Sequence, residues 1–454
     1  MERIRYCYMA LLLGAGLLLA PVSALLAQDT PDTLVVDIQE AMAIAREHNP
    51  TLEVAALEVE SKEVGVQEVR GNYLPSLNIS GNYNRNIMRP IIFLPEDSPF
   101  GGDGYLEVGS DNSFMGVLSA NMPLLNLGLN RSLRAARTEK QLAREQFRGS
   151  KIELEYNVQT AFFDVLLAKE SKEVMQESLR NAEENLQRTR RMQEEGVVAE
   201  YDLIRAEVQT ENLRPNVMEA ENAHETALNY LKALIGLDET QPLAIRGNLS
   251  DLAVSRLSDF RVDAAYEGLD QNTQLVQMDI QLDLINHQQE VAKAGGLPSL
   301  NLAGNYQYQT EADHFRIGDL RWVETFSAGL QVTIPLFNGF AVRHQTRQLE
   351  ILEDQISLEK AYLEDNLSIQ LESILKSIRV AMEKTTTARS NVRMAERGYE
   401  IAQTRYETGQ GTLMELNDSE MALTQARFNL LQAQHEVLEA KAEYDQFIGE
   451  NKQL

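Results

Sequence analysis

The stretch Phe326 to Gly339, FSAGLQVTIPLFNG, alternates apolar with small or polar residues as far as Pro335, and the seventy residues from Asn338 to Glu407 then contain no proline. A change from period two to helical period at a proline predicts a strand feeding a long helix. The unit occurs twice. In Phe114 to Gly128, FMGVLSANMPLLNLG, the residues Phe114, Leu118, Pro123 and Asn126 match Phe326, Leu330, Pro335 and Asn338 at a constant offset of 212. A duplicated strand, proline and helix points to one two-repeat architecture, although 454 residues could hold two or three ordinary domains.

The duplication reaches both ways from that unit. Leu74-Pro75-Ser76-Leu77-Asn78 and Gly81-Asn82-Tyr83 recur as Leu297-Pro298-Ser299-Leu300-Asn301 and Gly304-Asn305-Tyr306 at an offset of 223, and Asn49 and Leu52 recur as Asn272 and Leu275. Downstream, Glu195-Gly196 falls on Thr408-Gly409, and Leu234-Ile235-Gly236 on Phe447-Ile448-Gly449, at an offset of 213. The change of eleven lies between the paired strands, so the connection Arg85 to Ser113 is longer than its counterpart Gln309 to Thr325. Each copy predicts helix, strand, loop, strand, very long helix, turn and helix. Repeat 1 spans 28–236 with strands near 74–84 and 114–123, and repeat 2 spans 262–454 with strands near 297–308 and 322–335. Pro75, Pro123, Pro298 and Pro335 mark the strand-to-helix junctions, and Gly196 and Gly409 the turns at the far helix ends. The segment 237–261, with Pro242 and an irregular polar pattern, links the copies as a belt around the helices.

The strands carry the pattern of a membrane. Leu77, Ile79 and Tyr83 alternate with Asn78, Ser80 and Asn82; Phe326, Ala328, Leu330, Val332 and Ile334 alternate with Ser327, Gly329, Gln331 and Thr333. About ten residues, apolar on one face and polar on the other, fit an outer-membrane strand between lipid and a wet lumen. A sheet with one face on a soluble core has the same alternation. Glu324, near Trp322, breaks the pattern, which leaves the start of that strand bulged or outside the bilayer. Closed membrane barrels begin at about eight strands, and open edges in hydrocarbon leave backbone groups unpaired. Four strands per chain therefore require a barrel shared between chains: two give eight strands and a filled interior, three give twelve and an open lumen.

The helices predict a tunnel. Asn126 to Glu195 and Asn338 to Glu407 each hold seventy residues without proline, roughly 100 Å of helix at 1.5 Å per residue. The helices that follow carry Leu416, Leu423, Leu430, Val437 and Tyr444 at seven-residue spacing, with Ser419, Ala426, Ala433, Ala440 and Phe447 three residues on. The first copy repeats this with Leu203, Thr210, Val217, His224 and Leu231, and with Ala206, Leu213, Ala220, Ala227 and Leu234. Large residues at one seam position and mostly alanine at the other specify close antiparallel packing on the long neighbour. His224 lies in that seam, as a packed histidine rather than a ligand, and Pro215 is expected to kink its helix.

Arg3 and Arg5, an apolar run from Met9 to Ala20, and small residues at Ser23, Ala24 and Ala27 predict a secretory signal peptide over 1–27. The run is shorter than the roughly 20 residues that cross a bilayer. The only cysteine, Cys7, lies inside it, so the mature chain has no disulfide or thiolate ligand. Removing two arginines and one glutamate takes the formal charge from −26 to −27. Such acidity excludes nucleic acid as a partner and suits a surface that attracts cations. No HExxH, GxxxxGK, CxxC or GxSxG occurs, and the six histidines form no pair at ligand spacing. No catalytic residue, metal site or cofactor is predicted.

The acids that stand apart follow the far turns. Asp202 lies six residues after Gly196, and Glu415 six after Gly409, with Asp418 one turn further on the same face. Acids in a first turn are also favoured by the helix dipole alone.

The signal peptide, the twofold repeat, Leu-Pro-Ser-Leu opening one strand of each pair, Pro-Leu closing the other, and Gly196-Val-Val-Ala-Glu-Tyr-Asp202 at the turn together resemble the TolC family of outer-membrane efflux proteins. The resemblance covers essentially the whole mature chain. It implies mixed α and transmembrane β structure: a homotrimer with a twelve-stranded outer-membrane β-barrel, continuous with a periplasmic α-helical coiled-coil barrel. It also implies a passive duct for efflux or type I secretion that docks on a periplasmic adaptor (membrane fusion) protein and an inner-membrane RND or ABC transporter. The family's gate residues match Asp202 and Tyr406 as a latch and Glu415 and Asp418 as acidic rings; its gate arginine falls on Gly411, with Arg405 nearby. The alternative is a secreted trimeric coiled-coil stalk or adhesin-like protein with the hairpins as a soluble cap.

Overall fold

The computed structural model describes residues 33–94, 105–238, 240–258, 260 and 269–449; the expected signal peptide and the centre of the first long loop lie outside them. The chain opens with β1 (Leu34–Val36), α1 (Ile38–His48), α2 (Pro50–Gly71) and β2 (Ser76–Arg85). A small hairpin, β3 (Ile91–Phe93) and β4 (Tyr105–Glu107), precedes β5 (Asn112–Leu125), α3 (Leu127–Glu194) and α4 (Glu200–Leu234). After β6 (Leu243–Ile245) and α5 (Leu249–Leu257) come α6 (Thr273–Ala294), β7 (Ser299–Ala312), β8 (Val323–Thr333), α7 (Ala341–Glu407) and α8 (Leu413–Ile448).

The four expected strands are β2, β5, β7 and β8, paired in that order as one antiparallel sheet. Their register puts the alternation of all four in phase. Ile79, Leu118, Tyr306 and Phe326 form one cross-strand row, and Asn78, Ser119, Asn305 and Ser327 the next. One face is thus mainly apolar and the other mainly polar, with Met115, Val117 and Val323 on the polar side and Glu324 on the apolar side. Glu324 neither bulges the strand nor precedes it: β8 pairs with β7 without irregularity from Val323, and Glu324 stands opposite Tyr308 and accepts from the Tyr306 hydroxyl at 2.5 Å. Trp322 stacks on Tyr308 with ring centroids 4.8 Å apart.

Of the junction prolines, Pro75 and Pro298 each lie just before a strand, and Pro335 lies between β8 and α7. Pro123 is inside β5, where the register with β7 shifts between Pro123 and Leu125. That is where a strand tolerates a residue without an N–H. Helix α4 continues through Pro215, which does not end it and is solvent-exposed. The hairpin of β3 and β4 was not legible in the sequence. It occupies the longer connection and is tied to the second one by Arg89, which reaches Asp111 at 2.9 Å and Asp313 at 2.7 Å.

The belt is built from β6, which pairs in parallel with β1, and from α5. Helix α5 is held by the Leu249 N–H on the Glu170 carboxylate of α3 at 2.7 Å and by Arg256 donating to Gln159. Beneath it lies the main core, where Phe162, Phe163 and Leu166 of α3 meet Leu231, Ile235, Leu249, Val437 and Leu438.

One device closes each half. Asn49 caps α2 by accepting from the N–H groups of Thr51 and Leu52 at 2.9 and 3.2 Å, while its Nδ2 donates to Leu234 O at the end of α4 at 2.9 Å. Asn272 does the same for α6, accepting from Gln274 N–H at 2.9 Å and donating to Phe447 O of α8 at 2.7 Å. The adjoining glycines pack on the same joints. A Cβ on Gly236 would lie 2.5 Å from His48 O, and one on Gly449 would lie 2.7 Å from Gln271 O. Gly236 and Gly409 both have left-handed backbone, at φ +74 and +68, but a Cβ on Gly409 meets nothing within 4 Å. Left-handed backbone costs a non-glycine residue about 1–3 kcal/mol, and forced overpacking adds about 1–3 kcal/mol. Gly236→Ala is therefore expected to lower the thermal unfolding midpoint clearly more than Gly409→Ala. Equal midpoints for the two variants would refute the close-packed joint.

Candidate functional site at the helical tip

Helix α3 has 68 residues and α7 has 67, which places their far ends roughly 100 Å from the sheet at 1.5 Å per residue. Both ends turn in the same way. Gly196 and Gly409 take left-handed backbone at φ +76 and +68, and the next N–H reaches back five residues, Val197 to Met192 O and Gln410 to Arg405 O, each at 2.8 Å. This arrangement satisfies the last helical carbonyls and favours glycine at its pivot.

The helices that leave the turns start differently. In α8 the cap is Thr412, whose hydroxyl accepts from the Glu415 N–H at 3.2 Å while the Glu415 carboxylate accepts from the Thr412 N–H at 3.3 Å. In α4 the cap is Ala199, with no side-chain bond. Asp202 and Glu415 are each the third residue after their cap, but only Glu415 is used to complete it. Glu415 also lies 3.7 Å from Arg405, which donates to Gln410 O at 3.2 Å. A Cβ at Gly411 would sit 3.1 Å from both the Arg405 Cβ and the Tyr406 N. The turn is thus closed too tightly there for an arginine without adjustment.

Tyr406 is buried at 2% exposure, and its hydroxyl shares a hydrogen bond with the Thr189 hydroxyl of α3 at 2.8 Å. Around it pack Ala206, Leu413 and Leu416. The structure does not join Tyr406 to Asp202. Among the described residues the Asp202 and Asp418 side chains take no hydrogen bond or ion pair, and Asp418 is exposed. Two ionic ties missed in the sequence reinforce the seam between α3 and the hairpin of α7 and α8. Arg188 meets Glu407 at 2.6 Å, and Arg427 meets Glu177 at 2.7 Å and Glu396 at 3.6 Å.

The expected seam residues Leu416, Leu423, Val437 and Tyr444 of α8 are all buried, as are Thr210, Val217 and Leu231 of α4. His224 is half-buried, and burial pushes its pKa below the ordinary value, with Lys172 and Lys169 adding to the effect. A neutral packed imidazole is the result. What the heptads did not reveal is the second buried face of α8, with Glu420, Leu431, Gln434 and Leu438. It exists because α8 lies against α3 as well as α7. On α4, by contrast, Tyr201, Ile204 and Val208 form an exposed apolar stripe.

No group of three or more His, Cys, Asp or Glu among the described residues is placed to hold a metal ion, and no described helix is long and apolar enough to cross a membrane.

A family model described as "Outer membrane efflux protein" matches residues 42–237 and 264–450. The chain is 23% identical to outer membrane protein TolC of Vibrio cholerae, over 84% of each chain. It is 24% identical to the alkaline protease secretion protein AprF of Pseudomonas aeruginosa, over 82% of this chain and 74% of that one. The solved structure of CusC superposes with a TM-score of 0.73 at 19% identity, covering 92% of this chain and 94% of the other.

The tip geometry separates two pairings that the sequence could not. A net hydrogen bond contributes about 1 kcal/mol, and only partners in contact couple. A double-mutant cycle on thermal unfolding with Tyr406→Phe and Thr189→Val should therefore give a coupling near 1 kcal/mol, whereas Tyr406→Phe with Asp202→Asn should give none. Coupling confined to the second pair would show that the latch closes on Asp202 after all.

Proposed function

The chain belongs to the outer membrane efflux protein family, and on that premise we propose that it is the passive exit duct of a tripartite efflux or type I secretion system, assembled as a homotrimer. It resides in the outer membrane and extends into the periplasm. The observation that carries the assembly is the sheet. Its apolar face is bare, with Ile79 at 84% and Phe326 at 73% exposure, and among the described residues neither β2 nor β8 has a partner on its outer side.

In hydrocarbon each unpaired backbone group costs several kcal/mol. Strands β2 and β8 have 10 and 11 residues, and their opposite directions suit antiparallel pairing between copies. Three copies close a barrel of twelve strands with a wet interior, its lumen lined by rows such as Asn78, Ser119, Asn305 and Ser327. Lipid of the outer membrane covers the apolar face. The bare apolar face also disfavours a secreted stalk, whose cap would need that face covered by protein.

At the other end the helical tips form the periplasmic entrance. Asp202 is left available for a neighbouring copy while Tyr406 anchors its own hairpin, and the exposed stripe of Tyr201, Ile204 and Val208 supports docking of a periplasmic adaptor that links the duct to an inner-membrane RND or ABC transporter. Glu415 and Asp418 from three copies place six carboxylates around one opening, where they jointly attract cations.

Two measurements test this reading. The mass of the detergent-solubilised protein should be that of a trimer, and a stable monomer or dimer would end the shared-barrel argument. In planar bilayers the channel should be cation-selective and blocked by multivalent cations from the tip side. At physiological salt the Debye length is about 8 Å, comparable to a narrow pore, so the ring is only partly screened. Changing Glu415 and Asp418 together to Ala should weaken selectivity and block while leaving the trimer intact; unchanged selectivity would make them ordinary helix-start acids.

A further inference from the structure

One titratable group at the tip has no part in the reading above. Glu420 lies one turn beyond Leu416 on the second face of α8, and it is 5% exposed. Its carboxyl lies beside Asn181 of α3 and faces Tyr399 of α7, which also lies beside Asn185 of α3. Two buried polar atoms in this cluster, Glu420 Oε1 and Asn185 Nδ2, have no hydrogen-bond partner.

Among the described residues no cation forms an ion pair with the carboxyl. On α3, Glu184 and Arg188 act on Tyr399, but Arg188 is held by Glu407 at 2.6 Å. Arg427, two turns along α8, is held by Glu177 of α3 and Glu396 of α7. Asp418 on α8 is exposed and adds only like charge. A buried carboxylate without a counter-ion costs several kcal/mol, so the group either holds a proton or its helix moves.

We propose that Glu420 is a proton-binding site that fastens the hairpin of α7 and α8 to α3: with the proton bound the hairpin stays docked, and without it the docking loosens. The supporting ties are few. Between α3 and the last two turns of α7 they are the hydrogen bond from Tyr406 to Thr189 and the ion pair from Arg188 to Glu407. Charging a group in their midst therefore weighs against a small total. Burial pushes the Glu420 pKa up from 4.5 to about 7, against a smaller lowering by Asn181. The docked pKa is the raised one, so the stabilisation is complete below pH 4.5 and is lost as pH rises towards 7. The site titrates at neutral pH, where a change in external acidity alters its occupancy.

Hydrogen–deuterium exchange on the full-length protein in detergent tests this without any need for the protein to conduct. Peptides covering 396–425 are followed at pH 5.5 and 8.5, with correction for the intrinsic exchange rate. The wild type should exchange roughly thirtyfold faster at the higher pH, since pH 5.5 lies about 1.5 units below the raised value of about 7 and each unit is a factor of ten. Glu420→Gln, which cannot ionise, should stay protected at both. Glu420→Leu provides the same reading if the amide is poorly tolerated, and Glu415→Gln should keep the wild-type response. A wild type with no pH dependence, or a Glu420→Gln variant that keeps it, would overturn the proposal.

Discussion

A backbone N–H or C=O in hydrocarbon has no water to turn to, and the arrangement of this molecule follows from that constraint. Inside one chain the sheet satisfies three strand interfaces and leaves the outer edges of β2 and β8 bare. Each strand is continued directly by a helix: α2 leads into β2, β5 into α3, α6 into β7 and β8 into α7. In the proposed assembly the number of copies that close the barrel therefore also sets how many helices surround the space below it. In the proposed trimer the barrel and the tunnel share one circumference because strand and helix are covalently the same wall.

A wall one helix thick has little core, and its stability is concentrated at a few joints. The main core sits at the belt, where α1, α5 and the ends of α4 and α8 gather on α3 around Phe162 and Phe163. A second cluster around Leu371, Leu375 and Ile378 secures α7 to α6 and α8, and a small third one surrounds Tyr406 at the tip. Between them the pairs rely on narrow seams of leucine and alanine. The joints formed by Asn49 and Asn272 fasten the returning helix to the start of each half, so the long hairpins are held at the belt rather than at their tips.

The two halves are alike in helix length but not in surroundings. Helix α8 is flanked by α3 and α7, buries two faces, and carries a capping box and the uncompensated Glu420. Helix α4 packs on α3, starts from an uncapped alanine and leaves its other flank open. Exposed Leu358, Tyr362 and Ile369 on α7, and Val54, Leu57 and Val64 on α2, mark further open flanks. In the proposed assembly those flanks are where copies meet.

The sequence by itself determined the elements, because periodicity, prolines and glycines are local signals. The four strands, the two long helices and both tip turns at Gly196 and Gly409 lie where alternation, heptads and pivot residues place them. Asn49 and Asn272 were visible as repeated letters, but only the folded chain explains them, since the carbonyls they bond lie 185 and 175 residues away. The tertiary structure alone decided the surroundings of the acids at the tip. Glu415 and Glu420 are both glutamates near the start of α8, yet one completes a cap in water and the other is buried against Asn181 and Tyr399. It also decided that within the chain Tyr406 bonds Thr189. A side chain's partner and its desolvation depend on which helices lie beside it, and no local pattern encodes that.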